Sequence, residues 1–116
     1  MATISIDNDQ LVIEQTAVDT VLSLRSTLRF PLNKVRGVTI DPAVGSEPKG
    51  LRAPGTHIPG FVVAGTFRHE GRKTFWNIRR GTNALVITMD HADFDQLIIE
   101  VDDPFAAMEL INSARR

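Results

Sequence analysis

Between Phe61 and Val101 the chain offers four short apolar runs, each closed by a polar or glycine-containing turn. This rhythm limits the fold more than any other feature of the sequence. The runs are Phe61–Phe67, Thr74–Ile78, Leu85–Met89 and Leu97–Val101. Their separators are His69-Glu70-Gly71, Arg79-Arg80-Gly81-Thr82-Asn83 and Asp90-His91-Ala92-Asp93. Runs this short, rich in β-branched and aromatic residues, suit strands rather than helices, and the short turns predict a four-stranded meander. Leu85, Ile87 and Met89 alternate with Val86 and Thr88, and Ile98 lies between Leu97 and Ile99, so both sheet faces are apolar. Such a sheet is covered on both sides or curled into a barrel.

The remaining segments extend this reading. Ile4 and Ile6, then Asp7-Asn8-Asp9, then Leu11 and Ile13 predict a hairpin, because Asp and Asn tolerate turn dihedrals. Val18, Val21 and Leu22 have helical spacing with Thr16 as a cap, which favours one or two helical turns against the β-branched content. Thr27–Phe30 reads as a strand that ends at Pro31, and Val38–Ile40 as another preceded by a bend or bulge at Gly37. Residues 42–60 hold four prolines and four glycines and predict a long loop without a regular element. Asp103 caps a helix over about 104–115, with Pro104 at its first position and Met108, Ile111 and Ala114 on one face. The expected architecture is mainly β: one domain over 1–116, a curled antiparallel sheet of about seven strands, and a C-terminal capping helix.

The chain is 116 residues long, the size of a single domain. It has no cysteine, which excludes a disulfide framework, a thiolate metal site and a thiol nucleophile. No apolar run reaches the ~20 residues of a membrane-spanning helix, and the first residues do not resemble a secretion signal. The expected setting is the cytoplasm. The formal charge of −1 conceals an asymmetry: residues 1–24 carry −4, residues 25–80 carry +8 and residues 81–116 carry −5. Either the basic centre forms an anion-binding face, or basic and acidic strands lie side by side and neutralise one another. The second reading is the simpler one.

Several stretches resemble the bacterial branch of the pleckstrin-homology-like (PH-like) domains, small stand-alone proteins of largely unassigned function. They are Phe30-Pro31-Leu32-Asn33-Lys34-Val35, the run from Gly50 to Gly60, Ala64-Gly65-Thr66-Phe67, Thr74-Phe75-Trp76, and Val101-Asp102-Asp103-Pro104. The resemblance covers nearly the whole chain. It implies a seven-stranded barrel plugged by the last helix, and phosphoinositide or peptide binding without catalysis. Phosphoinositide-binding members carry bases around the first hairpin. Here that turn is Asp7-Asn8-Asp9, which repels phosphate.

The candidate binding residues are basic. Arg52 stands within the Gly/Pro segment, either as a fork for a carboxylate or phosphate, or as a clamp on a carboxylate such as Glu100. Arg68, Arg72 and Lys73 flank one turn and Arg79 the next, either as an anion-binding rim or as a solvated surface. Gly71-Arg72-Lys73-Thr74 lacks phosphate-loop spacing, and Asp90, His91, Asp93 and Asp95 miss the calcium-loop pattern. Phe75 and Trp76 are neighbours in a strand and face opposite sides. With no tyrosine, a nucleic-acid stacking surface has little support. No catalytic, metal or cofactor residue is assigned. The expected function is non-enzymatic: binding a protein partner, or self-association as a homo-oligomer, through a sheet edge or the Gly/Pro segment. The alternative is a small anion or a peripheral membrane head group held by the basic rim.

Overall fold

The computed structural model describes residues 2–15, 27–40, 51–58, 62–69, 71–78, 84–90 and 92–115. Its first turn closes because Asn8 takes a left-handed backbone (φ 55°), a conformation asparagine adopts more readily than most residues. That turn joins β1 (Ala2–Asp7) to β2 (Gln10–Gln15), which pairs in turn with β3 (Thr27–Pro31). The register aligns Ile4 with Ile13, Ile6 with Leu11, Leu11 with Phe30 and Ile13 with Leu28. Alternation along each strand thereby gives this sheet one apolar face.

After a short 3-10 turn (Leu32–Lys34), β4 (Val35–Ile40) enters a second sheet. Its register shifts between Val35 and Gly37, the position where the sequence predicts a bend. The other members are β5 (Leu51–Ile58), β6 (Val62–His69), β7 (Arg72–Ile78), β8 (Ala84–Met89) and β9 (Gln96–Glu100), in the order β4-β8-β9-β7-β6-β5. Gly65 in β6 has φ 124°, a backbone conformation that favours glycine, and it sits opposite Trp76 in the register. The helix α1 spans Pro104–Ala114, with the Asp103 carboxylate accepting from the Ala106 N–H at 3.0 Å.

Three expectations are corrected. Part of the predicted loop 42–60 is strand β5, which pairs with β6. Its register shifts between Arg52 and Gly55, around Pro54, and β5 is an edge strand; a proline fits a bulge or a sheet edge because it removes no ladder bond that is needed there. The meander does not form either. β9 lies between β7 and β8, antiparallel to β8 and parallel to β7, so the sheet is mixed rather than antiparallel. Leu97, Ile98, Ile99 and Glu100 are all buried, and such a strand belongs at a sheet centre, covered on both faces. Finally, the described residues form nine strands rather than about seven, arranged in two sheets that share no ladder. The predicted helical turns at 17–24 and the remaining loop residues 42–50, 59 and 60 lie outside the described residues.

The second sheet has two apolar faces. One presents Phe75, Leu85, Ile87, Leu97 and Ile99 to the first sheet and to Ile111 of α1. The other gathers Phe67, Trp76, Ile78, Ala84 and Ile98, with Val86 against them. Phe75 and Trp76 divide between the faces as neighbours in a strand must, and both are buried. Phe94, in the connection between β8 and β9, enters between the sheets. Its ring meets Phe75 edge-on at 5.8 Å and Phe30 at 6.2 Å. At the end of β2, Gln15 accepts a 2.6 Å hydrogen bond from the Asn77 amide, tying the two sheets together.

Candidate functional site

The turn between β6 and β7 carries most of the bases singled out in the sequence. Its register pairs Arg68 with Lys73 and His69 with Arg72. Cross-strand partners share a face, so Arg68 and Lys73 stand on one side of the hairpin and Arg72 on the other. Arg52 lies in β5 opposite Phe67, on the row that continues to Thr74. The positions therefore alternate between faces and do not converge on one side, and Arg79 lies outside the described residues. Arg68 and Arg72 are exposed and, among the described residues, make no ion pair or hydrogen bond. Lys73 is half-buried, and its ammonium sits 4.9 Å from the centre of the Phe94 ring, a cation–π contact.

A carboxylate stands beside these bases. Asp95 accepts the Lys73 N–H on its side chain at 2.7 Å, and its own N–H donates to the Lys73 carbonyl at 2.8 Å. Its carbonyl accepts from the Met89 N–H at 2.9 Å. Asp95 thus joins β7, β8 and β9 where the parallel ladder begins. The acidic turn gains a structural role that its sequence did not disclose. Among the described residues no group of three or more His, Asp or Glu side chains is arranged to hold a metal ion.

A second locus lies at the other end of the molecule. β1 is an edge strand, bonded to β2 alone among the described residues. Beside it α1 leaves a cleft of about 240 Å³. Ala2 and Ile4 of β1, Val101 and Asp102 before the helix, and Ala107 and Leu110 on the helix line it. Leu110 is 42% exposed and Phe105, on the same helix, 68%; these are the large apolar side chains left in solvent among the described residues. Sequence reading placed both residues in the last helix but did not single them out, because the stripe it followed was the one that buries Ile111.

A larger cleft of about 450 Å³ lies where the helix ends, between Asp9, Leu32, Val35 and Arg115. The Arg115 guanidinium is already committed there. It donates to the Arg36 carbonyl at 2.8 Å and to the Asn112 side chain at 3.2 Å. Arg36 lies in the shifted register of β4, and the arginine fastens the helix end to it. This cleft is a structural joint.

No helix among the described residues is long and apolar enough to cross a membrane. Compared with protein-family models, curated proteins and solved structures, the chain gives no match.

Proposed function

We propose that the chain is a non-enzymatic interaction domain that takes an extended segment of a polypeptide onto the open edge of β1, beside α1. The observation that carries this reading is the apolar cleft at that edge, with Leu110 on its rim. An edge strand presents unpaired N–H and C=O groups, and in β-augmentation these supply affinity while flanking pockets supply specificity. The segment belongs to a protein partner or, as a homo-oligomer, to a second copy of the chain. The architecture proposed for it is PH-like. The two-sided burial of the second sheet and the contacts of α1 with β1 and β4 support that resemblance, and the parallel β7–β9 pair is where it departs.

Selection of displayed random peptides against the immobilised protein tests the reading. Enrichment of extended, β-forming sequences, reduced by Leu110→Gln but not by Arg68→Glu, supports it. No enrichment, together with a monomer in light scattering, rejects it. The second reading, an anion or an anionic head group on the β6–β7 turn, draws on the unpaired Arg68 and Arg72. The Asp95 carboxylate beside Lys73 weakens it. Sedimentation with anionic vesicles that falls with salt and is lost in Arg68→Glu with Arg72→Glu would favour it instead.

A further inference from the structure

The cleft beside β1 carries a charge as well as an apolar floor, and the charge identifies its occupant. Among the described residues its charged lining side chains are Asp102 and Asp103, with no Lys or Arg. Asp103 is engaged as the helix cap. Asp102 is exposed and makes no hydrogen bond or ion pair among the described residues. At the far end of β1, Asp7 already holds Arg29 at 3.2 Å. The groove thus combines a strand edge, an apolar wall of Ile4, Ala107 and Leu110, and one carboxylate that no cation among the described residues pairs.

On this basis, and resting on the interaction reading above, we infer that the occupant is a basic extended segment of another protein, with apolar and Arg or Lys side chains on one face. In an extended chain alternate residues share a face. One such side chain reaches the apolar wall while the next meets Asp102, and arginine does so with a charge-assisted, bidentate geometry. A second copy fits less well. Pairing β1 with β1 of a twin brings the acidic lining of both copies to one interface, where the described residues of the cleft provide no balancing base.

Two fluorescein-labelled peptides test the inference. One is Arg-Thr-Val-Thr-Arg-Thr-Val, which places arginine and valine on one face; the other carries glutamate in place of both arginines. Fluorescence anisotropy gives the affinities, and amide chemical shifts locate the site. The expected result is binding of the arginine peptide that falls with salt, with shifts confined to β1 and the Ala106–Leu110 turns of α1. Asp102→Asn should weaken it by up to about fivefold, the upper end of the range for an exposed ion pair, and Asp102→Arg should reverse the preference between the peptides. Asp102 makes no hydrogen bond or ion pair among the described residues and its charge before the helix adds little to stability, so both variants stay folded, with Tm lowered by at most a few degrees. Equal affinity for both peptides overturns the basic partner and leaves the strand-edge reading standing. So does a dimer in light scattering that Leu110→Gln dissociates. Shifts on the β6–β7 turn alone overturn both.

Discussion

Phe94 is the side chain on which the contact between the two sheets should most depend. It is 2% exposed and meets one ring from each sheet, Phe30 and Phe75, edge-on. Truncation to alanine removes its buried area and leaves a cavity, which costs about 3–5 kcal/mol for a buried phenylalanine. Unfolding entropy near the midpoint is about 2.1 cal/mol/K per residue, or about 0.24 kcal/mol/K for this length, so a loss of about 4 kcal/mol lowers Tm by about 16 °C. Phe94→Leu separates two contributions. It keeps most of the apolar volume but loses two aromatic edge contacts, each about 0.5–1.5 kcal/mol, and the cation–π contact with Lys73. Its expected cost is about 1.5–4 kcal/mol, with a melting temperature between those of wild type and alanine. Differential scanning calorimetry on the three proteins checks the order. An alanine variant melting within about 4 °C of wild type, a loss of about 1 kcal/mol on the same scale, would refute the inter-sheet role given to this ring.

Other substitutions have separate physical causes. Asn8→Gly should be nearly neutral, whereas Asn8→Val should lower stability by about 1–2 kcal/mol in urea unfolding, because a β-branched residue resists the left-handed turn. Asp95→Ala removes the side-chain bond to the Lys73 N–H and should cost about 1–2 kcal/mol. Asp95→Asn keeps an acceptor oxygen and should cost less, which a paired denaturation series would show. The Thr66 hydroxyl oxygen is buried without a hydrogen-bond partner, so Thr66→Val should leave stability unchanged or raise it by about 1 kcal/mol, read as a shift in the urea midpoint.

Local pattern made some elements readable and left others hidden. The alternation of Leu11 with Ile13 and of Leu28 with Phe30 marks strands with one buried face, and the structure aligns those faces. Asp103-Pro104 announces a helix start because the cap and the first helical position select those residues by local geometry. Uninterrupted burial along Leu97–Ile99 was legible as a strand covered on both sides, but not as a strand inserted beside β7. Which strands become neighbours depends on long-range packing, and no short window of sequence contains it. Strand β5 was hidden because proline and glycine densities describe interior strands, whereas an edge tolerates both. Phe94 was hidden between Asp93 and Asp95, outside any apolar period. Among the basic positions the register, invisible in sequence order, places Arg72 on the face opposite Arg68 and Lys73. The cleft beside β1 joins segments a hundred residues apart in the chain, so only the folded arrangement reveals it.

The place of β9 sets an order on the protein's birth at the ribosome. Its residues, 96–100, are synthesised after those of β1 to β8, yet they lie between β8 and β7 in the finished sheet. Until they emerge, the β5–β6–β7 group and the β4–β8 pair have no strand to join them, and the nascent chain displays two unfilled, apolar edges. Completion must wait for residues 96–100, and non-local pairing of this kind is slow and exposed to misassociation. The segment that supplies both β9 and α1 acts as the closing piece of the second sheet, and a chain lacking it has strands but no joined sheet.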